Sequence, residues 1–416
     1  MMESLEHVQP INDKKTPHEG KSRGCKRSDF QLKSLLGEGS IGRVYLCSNI
    51  FTQNQVALKI ISKKKVMIKN LLKNVLLEKN ILLCLNPHPN FVYLLSCFQD
   101  DAYLYFQLEL VMGGSLSDVL FHYRMDIPEL LMFYWVCDVV NILSHLRLNH
   151  VAHRDIKPDN LLIDQYGRLK LIDFNNAIFV HDQDDFKDLI DEKLDIQDAL
   201  KQDSANVIYQ STWDTSSNKH EQFFGALHYL PPEAIIHIAP EIFSSNDFFQ
   251  KKFLQWKQNN IEKIVKVDRP YSPYAIDVWN FGCVLFELFY GFHPFRGSTD
   301  IDTVFNILNY NMVSSTFSTR MNTKSSLKSQ LLFDVIMGML KKNPLQRLGA
   351  YDLLELKEHA FFVGIDLNVI PYYTLRPTIP SLTTFVNRIG DIPKETQIND
   401  SHTPSSISNL LHDKIC

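Results

Sequence analysis

The chain has 416 residues, 45% of them hydrophobic and 22% charged, with a formal net charge of -4. That length and apolar content suffice for one large domain or two coupled ones around a sizeable core, and the charge balance offers no overall basic field for nucleic acid. Seven cysteines, at positions 25, 47, 84, 97, 137, 283 and 416, are odd in number and form no closely spaced metal-ligand pairs, so a reducing compartment is expected, the cytoplasm with the nucleus as alternative.

Residues 1 to 28 are polar and read as a disordered leader without the basic and apolar regions of a signal peptide. No uncharged apolar run reaches membrane-spanning length, and Cys416 at the last position does not fit a prenylation pattern. From Phe30 to Leu110 the pattern is strand-rich, with one long helical stretch from about Val66 to Leu85. From Leu116 onward long apolar helical stretches dominate, so two lobes are expected, joined at 109 to 115 where Gly113-Gly114 punctuates the run.

Gly37-Glu38-Gly39-Ser40-Ile41-Gly42 follows Leu35-Leu36 and leads into Val44-Tyr45-Leu46, which reads as a hairpin turn whose glycines let backbone approach phosphates. No helix follows at once, which argues against dinucleotide binding, where a helix N-terminus receives the pyrophosphate. In Val56-Ala57-Leu58-Lys59 alternation puts Ala57 and Lys59 on one face, a small adenine wall beside a phosphate ligand. Glu78 shares an apolar helical face with Leu71, Val75, Leu82 and Leu85, where a carboxylate is costly unless paired; Lys59 is the candidate partner, and an exposed edge position is the bland alternative.

The densest information lies at His153-Arg154-Asp155-Ile156-Lys157-Pro158-Asp159-Asn160 and Leu171-Ile172-Asp173-Phe174-Asn175. Leu161 to Ile163 and Leu169 to Ile172 are apolar runs joined by the turn-rich Asp164-Gln165-Tyr166-Gly167, a β-hairpin. Asn160 just before it and Asp173 just after it bring two oxygen donors together, able to hold a divalent cation on phosphate. Asp155 can accept a proton from an attacking hydroxyl, and Lys157 can neutralise charge on the moving phosphoryl group.

Two stretches look inserted, about 181 to 222 and 242 to 270. Residues 182 to 203 hold nine acids against three lysines, whereas 248 to 269 are Lys-rich with Phe249, Phe253, Trp256 and Ile264 interleaved. Both read as surface helices with solvated charges, a mutual contact being the alternative. Residues 391 to 416, rich in Ser, Asn and Asp, read as disordered.

These motifs, in this order, resemble those of eukaryotic Ser/Thr protein kinases over residues 29 to 363. The resemblance implies an α+β bilobal fold, with an N-lobe at 29 to 110, a C-lobe at 116 to 363 and a tail at 364 to 390. ATP and Mg2+ are the implied cofactors and proteins the implied substrates. Among ATP-binding positions it counts Leu36, Gly37, Glu38, Gly39, Ser40, Ile41, Gly42, Val44, Ala57, Lys59 and Glu78, with Leu108 as gatekeeper, backbone at Glu109 and Val111 receiving adenine and Leu162 beneath it. Asp155 would be the catalytic base, Asn160 and Asp173 the Mg2+ ligands, and Lys157 a pointer to Ser or Thr as acceptor.

Arg347-Leu348-Gly349-Ala350 with Leu356-Lys357-Glu358-His359-Ala360-Phe361-Phe362 resembles the end of the AGC core. Phe98-Gln99-Asp100-Asp101, Leu104-Tyr105-Phe106 and Pro380-Ser381-Leu382-Thr383 are most similar to the phosphoinositide-dependent type, which phosphorylates activation loops of other AGC kinases. That type implies a hydrophobic docking groove at Val66, Met67, Leu72, Val75, Lys79, Gln99 and Leu104; cover by residues 364 to 390 is the alternative.

Three positions depart from the family. Asn175 replaces a glycine, where tolerance of positive φ would preserve the turn. Ala226 stands for a Thr, losing a hydroxyl near the catalytic loop, and Gln222 occupies the expected phosphate-acceptor position. Distance from Gly225 favours Glu233 over Glu241 as partner of Arg347, and Asp277 is expected to anchor the catalytic loop. A catalytically impaired scaffold and a small-molecule phosphotransferase are the rival readings, separated by whether phosphate reaches a protein, a metabolite or nothing.

Overall fold

The computed structural model describes residues 25–123, 127–180, 227–264, 272–312, 327–372 and 376. The expectations for residues 1–24 of the leader, the acidic stretch, Gln222, Ala226 and the Pro380-Ser381-Leu382-Thr383 segment fall outside the described residues, whereas residues 25–28 are ordered and lead into a short 3-10 turn, Arg27–Asp29.

Alternation of apolar side chains builds an antiparallel sheet from β1 (Phe30–Glu38), β2 (Gly42–Asn49), β3 (Gln55–Ser62), β4 (Leu94–Gln99) and β5 (Tyr103–Leu108), in the order β1-β2-β3-β5-β4. Val56, Leu58 and Ile60 point to one face, where they form a cluster with Phe30, Tyr45, Cys47, Phe98 and Tyr105. Ala57, Lys59 and Ile61 therefore take the other face, toward the interlobe cleft. The Phe98 and Tyr105 rings stack at 4.7 Å, and the Tyr105 hydroxyl donates to Asp100. Residues that carry the subtype resemblance are thus employed in holding the sheet's outer face together.

The single helix expected over 66 to 85 is two helices, α1 (Lys63–Ile68) and α2 (Leu72–Cys84). Between them Asn70 adopts φ 51°, and the Leu71 amide donates to the Val66 carbonyl at 2.9 Å. Left-handed Asn is a helix-stopping conformation that apolar periodicity does not report. Of the docking-groove residues, Val66, Val75 and Leu104 are at most 1% exposed and belong to the lobe's own core, whereas Met67 is 45% exposed and Leu72, Lys79 and Gln99 are partly so.

The second lobe begins with α3 (Leu116–Tyr123) and α4 (Glu129–Leu148). By length and apolarity α4 could cross a membrane, but 67% of that stretch is buried within the fold, and Asp138 sits in its middle. Short strands follow: β6 (Val151–Ala152), β7 (Leu161–Ile163), β8 (Leu169–Leu171) and β9 (Ile178–Phe179), with β6 paired to β9 and β7 to β8. The β7–β8 hairpin matches the sequence expectation. Its turn closes because Asp164 accepts the Tyr166 and Arg168 amides while Gly167 supplies φ 77°.

The remaining helices are α5 (Pro232–Ile242), α6 (Asp247–Ile264), α7 (Pro273–Tyr290), α8 (Asp300–Asn309), α9 (Leu327–Met339) and α10 (Leu353–Lys357). Helix α7 is the hub, buried from Ala275 to Phe286 and packed on α4 and α9. Helix α6 is not a surface helix with only solvated charges. Phe249, Phe253 and Trp256 are buried in a ladder of rings that reaches Phe305 of α8, and the Trp256 indole donates to Asn309. Burial of each such ring contributes about 1.5–3 kcal/mol against a few tenths for a solvated charge pair, so the aromatics set the helix's orientation.

Candidate active site

The β7–β8 hairpin presents its two ends to one point. The Ile172 amide donates to the Asn160 carbonyl at 3.0 Å, fixing Asn160 and Asp173 as neighbours. Asp277, in the N-terminal part of α7, accepts the His153 amide at 2.8 Å and the Arg154 amide at 2.7 Å, so the buried hub helix anchors the loop that carries Asp155. His153 is fully buried, bonds the Ile172 carbonyl through Nε2 and meets Phe174 edge-on at 4.9 Å. Arg154 and Asp173 each take φ 64°, backbone strain held at both ends of the site.

Around Asp155 the Lys157 ammonium lies 3.0 Å from Oδ2, and the Asn160 amide donates to the Asp155 carbonyl at 2.8 Å. With its nitrogen so engaged, the Asn160 side chain has its oxygen as the remaining group able to serve a cation. Burial pushes the Asp155 carboxyl above its ordinary range, Lys157 opposes that rise, and Asp173 adds to it. A carboxylate so placed is a better proton acceptor than one in water.

Across the cleft, Lys59 Nζ meets Glu78 Oε1 at 2.5 Å, so the exposed-edge alternative for Glu78 is excluded. Burial works against the Lys59 charge, yet Glu78 and Asp173 together hold the ammonium above its ordinary value. Asp173 acts on Lys59 through space, so the two lobes' groups share one electrostatic site.

The glycine turn closes by the Gly39 amide donating to the Gly42 carbonyl at 2.8 Å. A Cβ on Gly37 would meet nothing within 4 Å, which leaves the inner face open, whereas one on Gly42 would strike the Ile60 carbonyl at 2.3 Å. Leu36 and Glu38 are exposed, Ser40 and Val44 partly so, and Glu38 pairs with Arg43 across the turn at 2.8 Å. Ile41 differs from expectation: its side chain is 7% exposed and belongs to the apolar cluster of Ile61, Val66 and Val75, leaving only its backbone for a ligand. Ala57 faces Leu108 across β3 and β5, Leu162 of β7 bridges Ser115, and Leu108 and Val111 are partly buried against the main core. The Glu109 amide donates to the Tyr93 carbonyl at 2.9 Å, and its carboxylate pairs with buried Lys170 at 2.9 Å.

Asn175 is corrected too. It is not left-handed; Asp173 two residues earlier is, and the Asn175 amide bonds the Asp173 carboxylate instead. Glu233 forms a two-point pair with Arg347 at 2.7 and 3.1 Å, as the distance from Gly225 indicates. Sequence reasoning passed over Arg376, whose guanidinium grips the buried carboxylate of Asp138 at 2.5 and 2.9 Å. Nothing local in the sequence signals that pair.

The donor set suits a nucleotide with a divalent cation. Among the described residues no cluster of three or more His, Cys, Asp or Glu is present. A cation held by Asn160 and Asp173 would therefore complete an oxygen shell from phosphate and water, as Mg2+ commonly does. Open backbone at Gly37, a cation at Lys59 and two oxygen donors opposite fit a polyphosphate in between.

Two lobes closing a cleft with these groups define a phosphotransferase architecture. The chain belongs to the protein kinase family: the protein kinase domain pattern matches residues 30–194 and 262–362. It is similar to a probable serine/threonine-protein kinase of Dictyostelium discoideum, 28% identical over 353 residues, 82% of this chain and 66% of the relative. It is also 27% identical to serine/threonine-protein kinase PKH3 of Eremothecium gossypii, over 86% of this chain and 38% of that protein. Serine/threonine-protein kinase PKH2 of Saccharomyces cerevisiae is 27% identical over 82% of this chain and 25% of its own length. The chain thus spans less than two thirds of each of these relatives.

Proposed function

We propose that the chain is an ATP-dependent serine/threonine protein kinase, and the observation that carries this is the joint presence of the Lys59–Glu78 pair and the Asp155, Asn160, Asp173 constellation. Lys59 holds phosphate oxygens with its charge set by Glu78. Asn160 and Asp173 orient a cation, and Mg2+ when bound neutralises charge on the transferring phosphoryl group. Asp155 accepts the proton of the attacking hydroxyl, and Lys157 balances the charge beside it. The glycine turn covers the phosphates with backbone N–H groups, and the carbonyl of Glu109 with the backbone of Val111 receives adenine.

Within this reading we assign the chain to the AGC group, on the Arg347 to Ala350 and Leu356 to Phe362 segments, and its substrates to activation loops of related kinases. Incubation of the purified full chain with radiolabelled ATP and a panel of Ser, Thr and Tyr peptides tests the activity. Phosphate on Ser or Thr peptides is expected, with activation-loop sequences preferred. Transfer only to Tyr, only to metabolites or to nothing would overturn the reading, and equal use of all Ser and Thr peptides would overturn only the substrate assignment.

A further inference from the structure

We propose that Asn175 is a positioning residue that sets the divalent-cation requirement of this site by occupying one carboxylate oxygen of Asp173. Its Nδ2 donates to Asp173 Oδ1 in a close contact. The turn that delivers this amide is fastened on both sides. Before it, Phe174 is 1% exposed and packs against His153 and Phe91. After it, the Asn176 carbonyl accepts from Arg154 Nε at 2.8 Å, and the Asn176 amide reaches Asp155 Oδ2 at 3.4 Å. The Ala177 amide closes the turn onto the Phe174 carbonyl at 3.1 Å.

A hydrogen bond to an ionised carboxylate is roughly twice as strong as one between neutral groups. A cation that takes Oδ1 must break this bond. A cation bound through Oδ2 alone keeps the bond but faces the positive end of the amide dipole. In both geometries the amide opposes the cation, so half-saturation requires a higher concentration than the oxygen donors alone would. The inference rests on the reading that Asp173 is a cation ligand.

The test is Mn2+ binding to the full chain, followed by electron paramagnetic resonance with a non-hydrolysable ATP analogue saturating, in wild type, Asn175→Ala, Asn175→Gly and Asp173→Asn. Asn175 does not hold positive φ, so alanine fits its backbone, and glycine differs only in adding freedom. Both amide-free variants are expected to lower the half-saturating Mn2+ concentration about ten-fold, the size a lost bond to a charged acceptor supports. Unchanged or weaker binding in Asn175→Ala, or a gain confined to Asn175→Gly, overturns the proposal. Asp173→Asn separates it from its premise. If that variant binds Mn2+ as wild type does, the ligand assignment itself fails; if it alone loses binding, only the role of the amide fails.

Discussion

Glu233 and Arg347, 114 positions apart, meet inside the protein as a two-point ion pair in which Arg347 also donates to the Ala275 carbonyl at 2.6 Å and lies over the Trp279 ring. The pair ties the first turn of α5 to the hub helix α7, and its side chains are at most 2% exposed. Breaking such a pair leaves a charge in the interior without compensation. Glu233→Ala is expected to destabilise the protein by about 3–5 kcal/mol, read as a lower urea midpoint. A variant melting like wild type would remove the pair from the fold's supports.

Lys59→Met, Asp155→Asn and Asp173→Asn are each expected to lower turnover about a hundred-fold or more while leaving the far-ultraviolet dichroism unchanged. Each removes a charge that the transition state needs and that few other groups nearby replace. Protein phosphorylation by Asp155→Asn at the wild-type rate would contradict the base assignment.

The pH dependence follows from the direction in which burial moves Asp155. Its carboxyl is raised, and only the ionised form accepts a proton, so kcat/KM falls as pH drops through that raised value, at higher pH than an ordinary aspartate would give. Lys157 opposes the rise, so Lys157→Ala should carry the acid limb to still higher pH. Superimposable acid limbs in the two proteins would show that another group governs the profile.

Arg376→Ala should cost about 3–5 kcal/mol, because Asp138 would keep the neutral donors Leu169 amide and Asn90 side chain but lose its counter-charge in a fully buried setting. Asp138→Asn with Arg376→Met should recover part of that loss, since neither charge then remains in the interior. Thermal melts of the single and double variants measure both effects.

Much of the site was legible because its parts are local. The Asp164 to Gly167 turn has the residues such a turn needs, so the hairpin, and with it the adjacency of Asn160 and Asp173, follows from a dozen letters. Alternation along Val56 to Lys59 put Ala57 and Lys59 on one face, and helical spacing put Glu78 on an apolar face with Lys59 as candidate partner; the pair itself decides against the exposed-edge alternative. Other features depend on conformations or contacts that no periodicity encodes. Asn70 stops a helix through its φ, and Asp173 rather than Asn175 takes the left-handed region. The aromatics of α6 are interleaved with lysines that concealed a buried face, and Ile41 turns from the phosphate side into the lobe's core.

The Arg376–Asp138 clasp also bears on where this protein can be cut. The family pattern ends at residue 362, yet the chain continues through Ile370, whose carbonyl accepts from Arg376, and Pro371, whose carbonyl accepts from Arg168 of the β7–β8 hairpin. A fragment stopped at the family boundary would strip Asp138 of α4 of its counter-ion and the hairpin of a neighbour. The packed unit therefore extends beyond the family pattern, and recombinant boundaries should be drawn beyond residue 376.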